Sequence, residues 1–448
     1  MSTIAAISTP SGVGGIAVVR LSGPEAFAIA SHHLALPEPT DRPATAFAHF
    51  RNEGRLMDEV VVTLFRAPHS YTGDDTVEIS CHGSLYVQQA ILQALIDSGA
   101  RLAEPGEFTR RAFLNGKLNL SQAEAVADLI DSTNAAAHSL AVSQLRGGYA
   151  KELEQLRQQL VDLTALLELE LDFSDEDVEF ADRSRLHSLA SQIYTRVTAL
   201  RESFHMGNAL KRGIPVAIIG RPNAGKSSLL NALLHDNRAI VSDIPGTTRD
   251  TIEETFVVEG TPFRIIDTAG LRHSDDPIEH LGIQRTINTV VQADIILYVH
   301  DATQPFLQAL DDLQELQDIR PFDDKHLFIV NNKMDLVQEN PVAPYRTFPI
   351  SAKEGMGIEA LTAALAKAAQ TDMAQAPDVM LTNVRHYNAL GHVEQALLHV
   401  AKGLADHLPA DLVVVDLRDA LHHLGTITGQ VTSDEVLGTI FSRFCIGK

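Results

Sequence analysis

The sequence predicts an α/β multidomain protein in which a mostly parallel, doubly wound sheet is inserted into a discontinuous helical bundle. A smaller α+β domain precedes both. Three observations lead to this fold class. A strand-like apolar run at 216–219 continues through a glycine-containing loop into a helix-like segment at 228–233. Strand and helix patterns then alternate to about residue 370, which is typical of a parallel sheet. Helical periodicity on both sides of this region indicates an insertion.

The first part of the chain mixes short strand-like runs with turns. The runs Ile16–Val19 and Val60–Phe65 are apolar and β-branched, whereas Val87–Ile96 has helical spacing. Helical texture begins near Ser121, which has the spacing of a capping box with Glu124. The strand-rich part therefore forms a domain of its own.

Helical segments flank the alternating region. The residues Lys211, Arg212 and Gly213 are predicted to form a short hinge into it. The acidic run at 172–179 fits either a cation site or a solvated helix connection. The predicted domains are 1–118, 119–212 and 373–448 (two parts of one helical domain), and 213–372 (the inserted domain).

Composition restricts the class of protein. The 448 residues carry 36 Lys and Arg against 58 Asp and Glu, a formal charge of −22. Such a charge disfavours a free-standing RNA-binding protein, because the phosphate backbone is repelled at long range. No apolar run approaches the roughly 20 residues that span a bilayer, and the N-terminus lacks the pattern of a secretion signal. We expect a cytoplasmic protein without a membrane segment.

The stretch from Gly220 to Ser227, Gly-Arg-Pro-Asn-Ala-Gly-Lys-Ser, has the spacing of a phosphate-binding loop. Its glycines let successive backbone N–H groups point inward, and the following helix adds its N-terminal positive end. Lys226 then reaches the terminal phosphates, and Ser227 offers a hydroxyl to Mg²⁺.

Three further motifs follow in the order expected of a nucleotide switch. Thr248, in a turn-rich segment, is the candidate second Mg²⁺ ligand. Asp267 suits support of the Mg²⁺ site, and Gly270 lets a backbone N–H approach the γ-phosphate. Asp335, in Asn332-Lys333-Met334-Asp335, accepts from guanine N1–H and the exocyclic amine, which adenine does not match. The segment Ser351-Ala352-Lys353 covers the base.

These motifs predict a P-loop GTPase domain that binds GTP with Mg²⁺. Many regulatory GTPases place a glutamine after the Asp-x-x-Gly segment to orient the attacking water, but Leu271 stands there. Glu279 is the candidate replacement, and a surface helix residue is the alternative reading of this position.

The whole chain resembles the MnmE (TrmE) family of tRNA modification GTPases. The nucleotide motifs are shared with many GTPases, whereas the stretch from Glu104 to Lys117 and the terminal Phe444-Cys445-Ile446-Gly447-Lys448 are specific to this family. The resemblance implies an N-terminal domain that binds a reduced folate (5,10-methylenetetrahydrofolate or a formyl form) and forms a homodimer. It also implies a discontinuous helical domain and an inserted GTPase domain.

The resemblance further implies that the protein acts on tRNA with a flavin-dependent partner of the MnmG (GidA) type. Together they add an aminomethyl or carboxymethylaminomethyl group at C5 of the wobble uridine. The resemblance implies that paired GTPase domains hold K⁺ at their interface and that hydrolysis drives their opening and closing. By position, it implies that the K⁺ ligands are Asn223, Ser242, Ile244 and Thr247, and that Glu279 orients the water.

Arg20, Glu78, Lys117 and Lys448 match the family's folate-site positions. On periodicity alone, the first three are surface residues or members of local ion pairs. The catalytic residues are predicted to be Glu279, Lys226 and Asn223. The predicted GTP contacts are Asn223, Ala224, Gly225, Lys226, Ser227, Ser228, Ser242, Asp243, Ile244, Pro245, Gly246, Thr247, Thr248, Asp267, Thr268, Ala269, Gly270, Asn332, Lys333, Asp335, Ser351, Ala352 and Lys353.

Two other functions fit parts of the sequence. A ribosome-assembly GTPase would carry a basic RNA-binding module beside the GTPase domain, and no such module is visible in the sequence. A signalling switch that needs an external activating protein would show slow turnover and no ion dependence.

Overall fold

The computed structural model describes residues 2–36, 42–172, 183–237, 254–266, 279–322, 325–337, 347–374, 379–442 and 444–447. Two compact units make up the chain. The first contains Met1–Ala127, Gln144–Ala165 and Leu417–Lys448, and the second contains Asp128–Ser143 and Leu166–Asp416.

The first unit contains a six-stranded mixed sheet with strand order β3-β4-β5-β2-β1-β6. Neighbouring strands are antiparallel except β1 and β6. Apolar side chains of the sheet pack with those of α1 and α2 in one core. The elements are β1 (Ile4–Ile7), β2 (Ile16–Ser22), α1 (Ala26–Ser31), β3 (Ala44–Asn52), β4 (Arg55–Phe65), β5 (Thr76–His82), α2 (Leu85–Asp97), β6 (Arg101–Leu102) and α3 (Glu107–Leu114).

Helices follow this sheet in sequence, as predicted from their periodicity. They are α4 (Leu120–Asp131), α5 (Ala135–Leu145), α6 (Gly148–Asp172), α7 (Arg183–Glu202) and α8 (Phe204–Arg212). The helices after the P-loop region are α13 (Val384–Ala405), α14 (Ala410–Thr428) and α15 (Asp434–Phe441).

The predicted capping box of Ser121 and Glu124 is wrong by two residues. The side-chain oxygen of Asn119 accepts from the backbone N–H of Gln122 at 2.9 Å, and Gln122 accepts in return from the N–H of Asn119 at 3.1 Å. Asparagine caps a helix as well as serine does, so α4 begins one residue before Ser121.

Helices from before and after the P-loop region pack together within the second unit. On α7, the Thr198 hydroxyl donates to Glu394 of α13 at 2.8 Å, and Arg201 forms an ion pair with the same carboxylate. The Arg201 guanidinium also lies 4.9 Å from the ring centre of Tyr387. Because these helices lie on opposite sides of the P-loop region in sequence, this packing confirms the predicted insertion.

The inserted region forms a second six-stranded sheet with order β12-β11-β10-β7-β9-β8. All neighbours are parallel except the edge strand β8, which is antiparallel to β9. The elements are β7 (Ile214–Ile219), α9 (Lys226–Asn237), β8 (Glu254–Val258), β9 (Thr261–Ile265), α10 (Glu279–Gln292), β10 (Ile295–Asp301), α11 (Leu307–Ile319), β11 (His326–Asn332), β12 (Thr347–Pro349) and α12 (Ile358–Ala374).

Apolar cores cover both faces of this sheet, so it is doubly wound. Side chains of β7 alternate between the two cores: Val216 and Ile218 face one, and Ala217 and Ile219 face the other. In the sheet, β7 lies between β9 on one side and β10 on the other, so the strand order reverses its direction at β7. Ligands of such sheets bind at this switch point.

The predicted hinge at Lys211 and Arg212 is instead the end of α8. Only Gly213 separates this helix from β7, with a φ angle of 101° and its N–H donating to Ala209 O at 2.8 Å. A Cβ at Gly213 would lie 3.1 Å from the backbone nitrogen of Arg264. Helix and strand are therefore joined by one ordered glycine.

Candidate functional site

The phosphate loop lies between the end of β7 and the start of α9, at the carboxyl edge of the parallel strands. Gly220 and Gly225 have φ angles of 138° and 96°. A Cβ would lie 2.2 Å from Val299 O at Gly220, and 2.1 Å from the side-chain nitrogen of Asn332 at Gly225. Both positions require glycine for conformation and for space. A curled backbone of this kind is the shape in which successive N–H groups can turn toward an anion.

Gly225→Ala is expected to weaken GDP binding at least tenfold, because the new methyl group collides with Asn332 in a backbone conformation that alanine rarely adopts. Equilibrium dialysis with radiolabelled GDP measures this loss. The control is Gly438→Ala on α15, where a Cβ meets no atom within 4 Å. Equal GDP affinity in Gly225→Ala and the parent would contradict the crowding argument.

Lys226, the first residue of α9, extends back along the loop. Its ammonium donates to Gly220 O and Arg221 O, both at 2.8 Å. Burial lowers the pKa of Lys226, because desolvation disfavours the charged form. An anion bound beside the ammonium would stabilise its charge.

Asn223 lies at the apex of the loop with a left-handed backbone, at a φ angle of 60°. Its side chain is exposed and makes no hydrogen bond within the part of the chain that the structure describes. The amide oxygen is thus available to a ligand. Oxygen ligands of this kind suit a hard cation such as K⁺ or Mg²⁺.

The Asn-Lys-x-Asp motif is hydrogen-bonded directly to the phosphate loop. The buried Asn332 at the end of β11 donates to Ala224 O at 2.9 Å and accepts from the backbone N–H of Ala352 at 3.0 Å. One side chain therefore joins three predicted segments: the phosphate loop, the Asn-Lys-x-Asp motif and the Ser-Ala-Lys segment.

Lys333 and Asp335 continue the motif on the edge of the sheet. Lys333 has a left-handed backbone, at a φ angle of 68°, and its ammonium lies 2.6 Å from an oxygen of Asp301 on β10. Burial raises the pKa of Asp301, but hydrogen bonds from Lys333 and Thr303 outweigh it and lower the pKa below its usual value. Asp335 is exposed in a short 3₁₀ turn, where its carboxylate is open to a base.

The segment after β12 carries Ser351, which is buried and accepts at its hydroxyl from the N–H of Glu354 at 3.3 Å. Its own N–H donates to Met356 O at 3.0 Å. These bonds form a tight turn beside Asn332, where a base-covering loop is expected.

Several predicted site residues lie outside the described residues. This applies to the whole switch region, to the Asp-x-x-Gly segment and to the C-terminal lysine. Glu279 begins α10, but its side chain is not described. The predictions for these positions stay predictions: Ser242, Asp243, Ile244, Pro245, Gly246, Thr247, Thr248, Asp267, Thr268, Ala269, Gly270, Leu271 and Lys448.

The sequence reasoning assigned no role to Arg221, which the structure places in a side-chain network with α11. Its guanidinium makes a two-pronged contact with Asp312, through Nε at 2.8 Å and Nη2 at 2.6 Å. The only sequence signal was a cation inside a phosphate loop, since Asp312 lies far along the chain.

A second group of predicted residues meets in the first unit. Arg20 and Glu78 are opposite each other on β2 and β5, and their side chains form an ion pair at 2.9 Å. The Arg20 guanidinium lies 5.6 Å from the ring centre of Tyr71 and 5.5 Å from that of Phe108. This cluster thus combines charge with aromatic faces.

Lys117 reaches the same loop that carries Tyr71. Its ammonium donates to Pro68 O at 3.0 Å, and the side chain is otherwise exposed. The C-terminal segment lies against β1 in this unit, since Ser8 donates from its hydroxyl to Gly447 O at 3.1 Å. Three of the four predicted folate residues, Arg20, Glu78 and Lys117, therefore lie in the first unit.

A mostly parallel, doubly wound sheet, a glycine-dependent phosphate loop at its switch point and an Asn-Lys-x-Asp motif joined to that loop define a P-loop GTPase. Two family models match the chain: the MnmE helical domain over residues 120–445 and the GTP-binding protein TrmE N-terminus over residues 3–117. The chain belongs to the MnmE family of tRNA modification GTPases.

Relatives named tRNA modification GTPase MnmE are similar over the full length. The protein of Parabacteroides distasonis is 49% identical, covering 100% of both chains. That of Flavobacterium johnsoniae is 46% identical, covering 100% of this chain and 99% of the relative. Among solved structures, the FeoB G domain of Methanococcus jannaschii is 26% identical, covers 35% of this chain and 98% of its own, and has a TM-score of 0.26. Within the described residues, no helix is both long and apolar enough to cross a membrane.

Proposed function

We propose that this chain hydrolyses GTP and, with a flavin-dependent partner of the MnmG (GidA) type, modifies C5 of the wobble uridine of certain tRNAs in the cytoplasm. The group added is an aminomethyl or carboxymethylaminomethyl group. The observation that carries the proposal is the full-length similarity to relatives named tRNA modification GTPase MnmE. The joined phosphate loop and Asn-Lys-x-Asp motif support the GTPase part.

The phosphate loop binds the polyphosphate through its inward N–H groups, and Lys226 transfers its hydrogen bonds from the loop carbonyls to the terminal phosphates. Ser227 and Thr248 would hold Mg²⁺, which neutralises charge that develops on the phosphate oxygens. Asp335 accepts hydrogen bonds from the guanine edge, with Lys333 held beside it by Asp301. Glu279 orients the attacking water in place of the missing glutamine.

Asn223, with backbone groups of Ser242, Ile244 and Thr247, would hold K⁺, which supplies positive charge at the β/γ bridge. The amide of Asn223, at the loop apex and without a hydrogen bond among the described residues, supports this assignment. In the proposed homodimer, binding across the two GTPase domains makes hydrolysis depend on their contact. Opening and closing of the pair then follow the nucleotide cycle.

Arg20, Glu78, Lys117 and Lys448 would hold a reduced folate, which carries the one-carbon unit. The residues suit the chemistry of this ligand. A carboxylate accepts from ring N–H groups, aromatic faces stack on a flat ring, and an exposed lysine pairs with the glutamate tail.

Lys117→Met is expected to weaken binding of 5-formyltetrahydrofolate about tenfold to a hundredfold, because one charge-assisted hydrogen bond is lost while the apolar stem is kept. Isothermal titration calorimetry measures the affinity. Lys151→Met, an exposed lysine on α6, is the matched control. Unchanged folate affinity in Lys117→Met would remove this residue from the site.

Mass spectrometry of wobble uridines tests the overall proposal. In tRNA from cells that lack this protein, we expect unmodified C5 positions, and the parent gene is expected to restore the modification. The Lys226→Ala gene should fail to restore it, because GTP hydrolysis is required. Normal modification in the deletion strain would refute the proposed function.

A further inference from the structure

Arg221 connects the phosphate loop to α11 through three hydrogen bonds. Besides its two contacts with Asp312, it donates from Nη1 to the side-chain oxygen of Gln308 at 3.0 Å. Gln308 and Asp312 lie four residues apart and so share one face of the helix. A planar guanidinium held at three points fixes the direction of the arginine side chain.

The hydrogen-bond network of Arg221 and Asp312 continues into the core of the sheet. Tyr298 on β10 is 2% exposed, and its hydroxyl donates to Asp312 at 2.5 Å. Burial raises the pKa of Asp312, but hydrogen bonds from Arg221 and Tyr298 outweigh it and lower the pKa below its usual value. The carboxylate thus stays ionised between a loop residue and a buried strand residue.

The other end of the loop has its own attachment, from Asn332 to Ala224 O. Between the two attachments lie only Pro222 and Asn223, and the left-handed backbone of Asn223 is not a conformation that the chain prefers by itself. In the nucleotide-free chain, Lys226 also holds Gly220 O and Arg221 O. When a phosphate takes over the ammonium, the three side-chain hydrogen bonds of Arg221 remain, together with the bond from the Ala224 N–H to Arg221 O at 3.4 Å.

We propose that Arg221 and Asp312 are positioning residues that hold the phosphate loop in its binding shape before and during nucleotide entry. Tyr298 supports Asp312 from the sheet. The inference rests on the proposed binding of a guanine nucleotide. Neither residue contacts the nucleotide in this role; they raise the fraction of molecules whose loop is ready to receive it.

This role predicts a specific kinetic effect. If only a fraction of the molecules has its phosphate loop in the binding shape, the association rate constant falls in proportion to that fraction. The dissociation rate constant of the formed complex changes little. We expect Asp312→Asn and Arg221→Lys to slow association of N-methylanthraniloyl-GDP roughly fivefold to twentyfold, with dissociation within about twofold of the parent, as measured by stopped-flow fluorescence. Hydrogen exchange of the backbone amides of residues 220, 221 and 223–226 should be faster in the nucleotide-free variants.

The variants separate this effect from simple electrostatics. Asp312→Asn removes a negative charge near the phosphate site, which by itself would speed the approach of an anion. Arg221→Lys keeps the positive charge and loses the planar guanidinium that makes the two-pronged contact with Asp312. Within the described residues, Asp318 of α11 accepts a hydrogen bond from Gln314 of its own helix and no other. Asp318→Asn makes the same charge change on this helix and should associate as the parent does.

The double variant Arg221→Lys/Asp312→Asn should be no slower than the slower single variant, because both act through one contact. Parental association rates in both single variants would overturn the proposal. An effect confined to dissociation would also overturn it, because that result means direct contact with the nucleotide. Failure of the parent protein to bind the GDP derivative would instead refute the proposed nucleotide function.

Discussion

Lys226→Ala is expected to lower the rate of GTP hydrolysis by roughly a hundredfold to a thousandfold. A preorganised donor to the transferring phosphoryl group contributes on this scale. In this chain the ammonium is already aligned along the loop by Gly220 O and Arg221 O, and the partial desolvation that lowers its pKa also strengthens its attraction to phosphate. Release of inorganic phosphate at saturating GTP measures the effect.

Lys367→Ala is a suitable control, because that lysine is exposed on α12 of the same domain. It should hydrolyse GTP at the parental rate. Should Lys226→Ala also retain the parental rate while folded, the nucleotide site must be sought elsewhere in the chain.

Asp335→Asn is expected to weaken GDP binding at least a hundredfold and to improve binding of xanthosine diphosphate. Guanine presents two donors to the carboxylate, and the amide replaces one accepting oxygen with a donor. Xanthine carries an oxygen where guanine has its exocyclic amine, so the amide N–H finds an acceptor there. Unpaired polar groups in a recognition site account for discrimination of this size.

Competition between GDP and xanthosine diphosphate, measured by displacement of N-methylanthraniloyl-GDP, reads out the change in preference. The gain in xanthosine binding serves as an internal control for folding, since a misfolded variant loses affinity for both nucleotides. A variant that still prefers GDP by the parental margin would show that Asp335 does not read the base.

Local patterns carried most of the fold prediction. The strand, loop and helix from Val216 to Leu233 are specified by neighbouring residues, and the glycines at 220 and 225 have the conformational role that the spacing predicts. The insertion was predictable from helical periodicity on both sides. The cap of α4 was not, because Asn119 and Ser121 are both good caps and only the helix start decides between them.

Contacts between residues distant in sequence were beyond prediction from one chain. The attachment of Arg221 to Asp312 spans 91 positions, and nothing in the local sequence marks α11 as its partner. The hydrogen bonds of Asn332 to Ala224 and Ala352 were equally unpredictable. Each motif was recognised by itself, but whether the motifs touch depends on the order of the strands in the sheet. The positive charge of Arg221 alone does not indicate which acidic residue it pairs with or how far along the chain that residue lies.

The one-residue junction at Gly213 has a mechanical consequence. One residue joins α8 to the central strand β7. A small displacement of the phosphate loop, at the other end of β7, therefore meets little flexible chain before it reaches α8. A Cβ at Gly213 would lie 3.1 Å from Arg264, so this tight junction has room for little more than a glycine. A displacement of β7 would therefore reach α8 through a single residue.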